Sequence, residues 1–362
     1  MKKTILIAIL LVFLLSCSSK KEYFTKEIKD GITYIHNFKL PLSDIDLEPE
    51  LIIGNEEKDT EIFSQISDIK EDNNRNIYIV DRKNNEIKVF SNEGKFVRII
   101  GRKGEGPAEF NEPESIGFLN DKIFVSDTEN RRFQLFDMKG NFIRTQKLED
   151  DIPERFEISS DNQIHNKSIV FRFGNNQPEN LLFRIYDLDF NKIGEFGSLR
   201  QFKEPFETFV MNISSFIIDS KNRVIVNFQV ENKIQIFENN KLIKQIKREL
   251  FFKPTKPDIK TKGSDGSYNF SASYEPISYG LAIDTKDNIY VLTSYEIKSD
   301  EKEKEDEEYF SIILEIYNKD GILKQAIPIR GISPTKIYIN KENKIYLIDS
   351  DEMKVIRYKA VL

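Results

Sequence analysis

Two stretches, NIYIVDRKNNEIKVFSNEGKFVRIIG at residues 76–101 and DKIFVSDTENRRFQLFDMKGNFIRTQ at 121–146, decide how the chain folds. Each reads as an apolar run ending in Asp, a short polar turn, a second apolar run, a Gly-containing turn and a third run. Runs of four to six residues rich in Ile, Val, Phe and Tyr between Asn, Asp and Gly are strands joined by hairpins. The matching Asp81 and Asp127 fix a repeat of about 46 residues, and a period in that range signals a repeated supersecondary unit.

Working outward, the same phrase continues to the C-terminus. A second strand of the unit is expected at Ile77–Val80, Ile123–Ser126, Ser168–Phe173, Val224–Phe228, Ile289–Thr293 and Ile345–Asp349. A third is expected at Ile87–Phe90, Phe133–Phe136, Leu182–Tyr186, Ile234–Phe237, Ile313–Tyr317 and Val355–Tyr358. Six copies of a four-stranded antiparallel unit describe an all-β fold, a six-bladed β-propeller. The last copy runs out after its third strand. Leu51-Ile52-Ile53-Gly54 matches the outer strand Arg98-Ile99-Ile100-Gly101, so a strand near residues 47–54 is expected to complete the sixth blade and remove the open edges. The domain reading is a signal peptide over 1–16, a tether over 17–46 and one propeller over 47–362.

The first residues, MKKTILIAILLVFLLSC, place Lys2 and Lys3 before an apolar run from Ile5 to Leu15. The run is too short for a membrane-spanning helix, which needs about 20 residues, and has the layout of a secretory signal. Leu14-Leu15-Ser16-Cys17 resembles the lipobox of bacterial lipoproteins. That resemblance implies cleavage before Cys17 and acylation of this single cysteine, palmitate included, hence a membrane partner through a lipid anchor. Ser18 after the cysteine resembles outer-membrane sorting in Gram-negative cells. Loss of residues 1–16 removes two lysines, so 52 basic against 60 acidic residues leave a charge of −8. Export and that charge argue against a nucleic-acid partner.

Loop lengths distinguish the two faces of the disc. The first-to-second and third-to-fourth strand turns are short, as at Asn120-Asp121 and Lys319-Asp320-Gly321. The long insertions, 101–113, 174–180, 197–212, 250–276 and 298–308, all belong to connections on the other face, and long loops on a rigid scaffold are where binding residues gather. Leu250–Pro276, with Phe251, Phe252, Tyr268, Phe270 and Tyr274, reads as a packed lid and a specificity element. KSDEKEKEDEE at 298–308 reads as a solvated charged tip.

The lead-in Gly101–Pro113 with Asp127, Asn130, Arg131, Phe136 and Gly140 resembles an NHL repeat, and the first copy carries the weaker set Asp81, Asn85, Phe90 and Gly94. With the lipobox, the chain resembles the six-bladed propeller lipoproteins of Bacteroidetes. Related propellers include calcium-dependent lactonases and zinc-dependent lyases. His36 and His165 are too few for a His-rich zinc site. Calcium, which takes only oxygen ligands, is the cation that Asp68, Glu112 and Glu114 would suit; otherwise no cofactor is expected. The preferred reading is a binding scaffold for an envelope protein, peptide or glycan, with Arg82, Arg131, Arg155, Arg172, Met211 and Tyr279 at the rim or channel mouth. The alternative is a calcium-dependent hydrolase or lyase with carboxylates in its tunnel.

Overall fold

The computed structural model describes residues 23–54, 57–148, 151–167, 181–202, 204–252, 254, 257–264, 267–274, 276–295 and 312–360. Cys17, Arg172, the expected strand Ser168–Phe173 and the charged tip at 298–308 lie outside them. No helix among the described residues is long and apolar enough to cross a membrane.

Six antiparallel four-stranded sheets form the blades. Blade 1 comprises Ile66–Glu71, Ile77–Asp81, Glu86–Phe90 and Phe96–Ile100; blade 2 comprises Pro113–Leu119, Lys122–Asp127, Arg132–Asp137 and Phe142–Lys147. Blade 3 is built from Arg155–Ile158, Ile164–Lys167, Leu181–Tyr186 and Lys192–Ser198, and blade 4 from Ser214–Ile218, Val224–Phe228, Lys233–Glu238 and Lys241–Arg248. Blade 5 holds Ser278–Ile283, Ile289–Ser294, Ile312–Tyr317 and Leu323–Ile329. Blade 6 is Pro334–Ile339, Ile345–Asp349 and Lys354–Tyr358, completed by Pro49–Ile53, which pairs antiparallel with Lys354–Tyr358 through Val355 opposite Ile53 and Ile356 opposite Ile52. The expected closure by an N-terminal strand is therefore present.

Most second and third strands show little of the in/out alternation of a one-sided sheet. Ile77–Asp81 and Ile345–Asp349 are buried throughout, because both faces of a blade pack against neighbours. The core accordingly divides into six clusters among the described residues, one at each blade interface. Each third strand carries a bulge near its end, as at Val89/Phe90 and Leu135/Phe136, which increases twist toward the outer edge. Two-residue turns such as Asn120-Asp121 and Asn239-Asn240 hold both residues at positive φ, the geometry that tight hairpins require.

Two expectations need correction. Residues 17–46 are not simply a tether: Phe24–Lys29 and Ile32–Asn37 form a hairpin, and Ile32–Asn37 adds in parallel to the outer strand Lys241–Arg248 of blade 4. Asn37 locks it there by donating to the Gly321 carbonyl at 2.9 Å and accepting from the Leu323 amide at 2.9 Å. The chain then passes blade 5, where the Ser43 amide donates to Ala326 O at 2.8 Å, before closing blade 6. The second strand of blade 3 starts at Ile164 rather than Ser168, which places His165 within it. It is buried in that strand opposite Glu157, and burial pushes its pKa down to about 4.

The register of the closing strand gives a direct test. Ile53 is 1% exposed and Ile52 is 55% exposed. Ile53→Ala should cost about 2–5 kcal/mol in urea unfolding, whereas Ile52→Ala should change stability by less than about 0.5 kcal/mol. Equal effects would contradict the pairing.

Candidate functional site

The innermost strands of the six blades surround a central tunnel, and their first residues sit at its loop-rich mouth. In blades 1, 2, 5 and 6 the pairing of the innermost strand skips residues near its start: Ser67, Glu114, Tyr279 with Gly280, and Thr335. Such bulges re-aim side chains, and Glu114, Tyr279 and Thr335 all turn into a cavity of about 510 Å³ at this mouth. One side of its wall is charged, with Arg82, Glu114, Glu129, Glu154, Arg155, Lys167 and Lys336. The other is largely apolar, with Phe209, Ile213, Tyr279, Leu281 and Ile337.

Ion pairs run down the tunnel from this mouth. At the top, Arg82 donates to Glu112 at 2.6 Å and to Glu114 at 3.0 Å, and Lys83 holds the other Glu112 oxygen at 2.5 Å. Below, Asp68 accepts from Ser115 Oγ at 2.8 Å and the Ile116 amide at 3.0 Å, with Arg155 3.8 Å away. Burial opposes ionisation of Asp68, but Arg155, Lys70, the Ile116 amide and Lys336 outweigh it and hold its pKa below the ordinary value. Lys336 donates to the Ser67 carbonyl and lies 3.6 Å from Glu114. Deeper still, Lys70 donates to both oxygens of Glu157, at 2.8 and 3.1 Å, and sits 5.7 Å from the Tyr338 ring. This pair also lines a cavity of about 380 Å³ that opens toward the short-turn face.

The side chains singled out from the sequence separate accordingly. Arg82, Arg155 and Tyr279 share the upper cavity. Met211 ends the helix Pro205–Met211, which lines the cavity through Phe209 instead. Arg131 is exposed in a turn at φ 52°. Its neighbour Arg132 is the buried one, donating to Asp127 at 2.7 Å and to the carbonyls of Glu105, Gly106 and Glu109 at 2.6–2.9 Å. Arg132 thereby holds the glycine-rich lead-in in place. Asp68, Glu112 and Glu114 are each already engaged by the protein's own donors, Glu112 and Glu114 by Arg82 and Asp68 by Ser115 and the Ile116 amide. Among the described residues no group of three or more His, Cys, Asp or Glu could hold a metal ion.

Most of the wall escaped the sequence reading, including the charged residues Glu154, Lys336 and Lys167. Lys167 and Lys336 sit inside strands, where a lone lysine carries no visible signal until the ring turns it inward. Burial lowers the pKa of both lysines, with Arg155 acting in the same direction and Glu114 opposing. For Glu154 burial dominates, aided by Glu114 and Asp151 against Lys167 and Arg82, and its pKa is pushed up to about 7. The two sheet connections at 197–212 and 250–276 stand beside the cavity. The second forms a hairpin, Asp258–Ser264 with Ser267–Ser273, that flanks the mouth near the helix; none of its described residues belongs to the wall.

Glu154 yields a stability test with a definite sign. Its carboxyl ionises near 4.5 in the unfolded chain and at about 7 in the folded one, so its ionisation opposes folding increasingly from pH 4.5 to 7 and by a constant amount above. Relative to wild type, Glu154→Gln should leave stability unchanged near pH 4 and raise it at pH 8 by about 2–3 kcal/mol. Urea unfolding of both proteins at the two pH values measures this.

Comparison with solved structures finds chains of similar fold. A Bacteroides fragilis protein assigned as exported superposes with a TM-score of 0.57 at 14% identity, covering 84% of this chain and 86% of that one. A member of the DUF4221 family from Bacteroides vulgatus gives 0.57 at 12% identity, covering 87% and 97%. At these identities the likeness is one of fold. No curated protein matches the sequence. Residues 53–329 match the family DUF5128, described as a 6-bladed beta-propeller, and the chain belongs to that family.

Proposed function

We propose that the chain is an exported, lipid-anchored propeller that binds an envelope protein, peptide or glycan through its loop-rich face, with the upper cavity as the seat of the bound group. The observation that carries this reading is the cavity itself. It measures about 510 Å³, lies on the face that holds the long connections, and sets charged groups against an apolar wall. Pockets of this size that combine apolar lining with a few converging polar groups are the usual form of a ligand site. Export and anchoring rest on the signal-like residues 1–16 and on Cys17, whose acylation would fix the protein at the outer membrane. The NHL-like character rests on Asp81, Asp127, Asn130 and the Gly101–Pro113 lead-in. The rigid ring favours binding without large rearrangement, since most wall residues come from blade strands and the connections beside them.

The test is positional. A photo-activatable cross-linker placed at Gln229, in the cavity wall, should capture a partner in the native envelope. The same probe at Asn239, in a tight turn at the other end of blade 4, should not. Capture from Asn239 alone would assign function to the opposite face and overturn the reading.

A further inference from the structure

The cations of the upper cavity are not all committed to the protein's own carboxylates. Arg82 is, through Glu112 and Glu114. Lys167, 7% exposed, lines the cavity, and its side-chain ammonium has no hydrogen-bond partner among the described residues. Arg155 reaches Asp68 only at 3.8 Å, beyond hydrogen-bonding distance. Its Nε is buried without a partner, and so is Oγ of Ser215 on the adjoining blade. Both residues line the same cavity. Donors left buried and unpaired are costly, and the chemical group that satisfies several of them together, with positive charge around it, is an anion with more than one acceptor oxygen. Beside them, Phe209, Ile213, Tyr279, Leu281 and Ile337 form a wall with few polar groups, which suits an apolar substituent next to that anion.

We propose that the cavity receives a carboxylate carrying an apolar side chain, as in a peptide C-terminus or a free N-acylated amino acid. The anion sits among Arg155, Lys167, Lys336 and Ser215, and the apolar group lies against Phe209, Tyr279 and Leu281. This inference rests on the reading of the cavity as a binding site. Glu154 couples binding to protons. It faces Lys167 on the second strand of its own blade, Glu114 from blade 2, Arg82 from blade 1 and Asp151 from the preceding connection. An incoming anion raises the affinity of the Glu154 carboxyl for its proton, so the complex takes up a proton where Glu154 was ionised. Affinity therefore falls as pH rises through neutrality.

Titration calorimetry on the full-length chain in detergent, with N-acetyl-phenylalanine, its carboxamide and N-acetyl-Ala-Ala-Phe, tests the proposal. The acid should bind at least about tenfold more tightly than the amide, as expected for losing a charge-assisted hydrogen bond. Lys167→Met should erase that ratio, and Lys336→Met provides a second variant should the first not fold. Between pH 6 and 8 affinity for the acid should drop by up to about tenfold in wild type and stay flat in Glu154→Gln. Tighter binding of the tripeptide identifies a chain terminus as the source; equal binding identifies the free acid. Equal affinity for acid and amide, an acid-to-amide ratio that survives both lysine variants, or no binding of any probe overturns the proposal. Acid and amide that bind alike, and are both lost in the cavity-filling Ile213→Trp, would overturn the carboxylate assignment while leaving the cavity as the binding site. Loss of the Gln229 cross-link belongs to the broader reading alone.

Discussion

Each blade of this protein buries both of its broad faces, and neither can be left without a neighbour. The clusters that join blade to blade, such as Ile53, Phe63, Ile77, Phe90 and Tyr346 between blades 6 and 1, have no counterpart within a single sheet. The ring must therefore close, and the strand Pro49–Ile53 closes it by joining two parts of the chain some 300 residues apart. Everything else follows from that requirement. The largely buried second and third strands are intelligible only as middle layers between two neighbours. The loops are confined to the two ends of the disc, and the innermost strands face one another across an axis.

The axis is where closure creates a problem and an opportunity. Six strand beginnings converge there, leaving a narrow space into which long polar side chains reach from several blades. The protein fills most of it with opposite charges that neutralise one another, Lys70 with Glu157 and Arg82 with Glu112 and Glu114. Buried pairs of this kind add little net stability but are costly to break singly, because the survivor is left charged and unpartnered. Away from the axis, blades 4 and 5 lack the Asp and Arg pair seen in blade 2. There Arg248, 1% exposed, donates to Glu315 at 3.0 Å and to Thr293 at 2.9 Å, an inter-blade pin of different chemistry in a comparable role. The upper cavity is the part of the axis where charge is left incompletely matched.

The blades were legible in the sequence because apolar runs and Gly, Asn and Asp turns are local signals. The closing strand was legible through its likeness to Arg98–Gly101. The start of blade 3's second strand was not. Ile164-His165-Asn166-Lys167 has one apolar residue in four, and its burial depends on partners brought from elsewhere, such as Asp151 for Asn166 at 2.8 Å. Arg131 and Arg132 could not be told apart by spacing alone, since only the left-handed turn at Arg131 decides which side chain points inward. The cavity mixes both situations. Arg82, Arg155 and Tyr279 sit next to recognisable strand ends, while Lys167, Lys336 and Glu154 gain their meaning only once the ring brings charged residues of other blades, such as Glu114, beside them.

The N-terminal segment wraps blades 4, 5 and 6 in turn, and this alters the mechanical relation of the protein to any surface that holds it. Had residues 17–46 all been free, the disc could have swung at the end of a long leash. With the hairpin sewn to blade 4 from Phe24 onward, only the six peptide links from Cys17 to Tyr23 remain, a reach of at most about 20 Å. A lipid at Cys17 would then keep the rim of blade 4 within that short reach of the membrane, so that the disc could tilt but not roam.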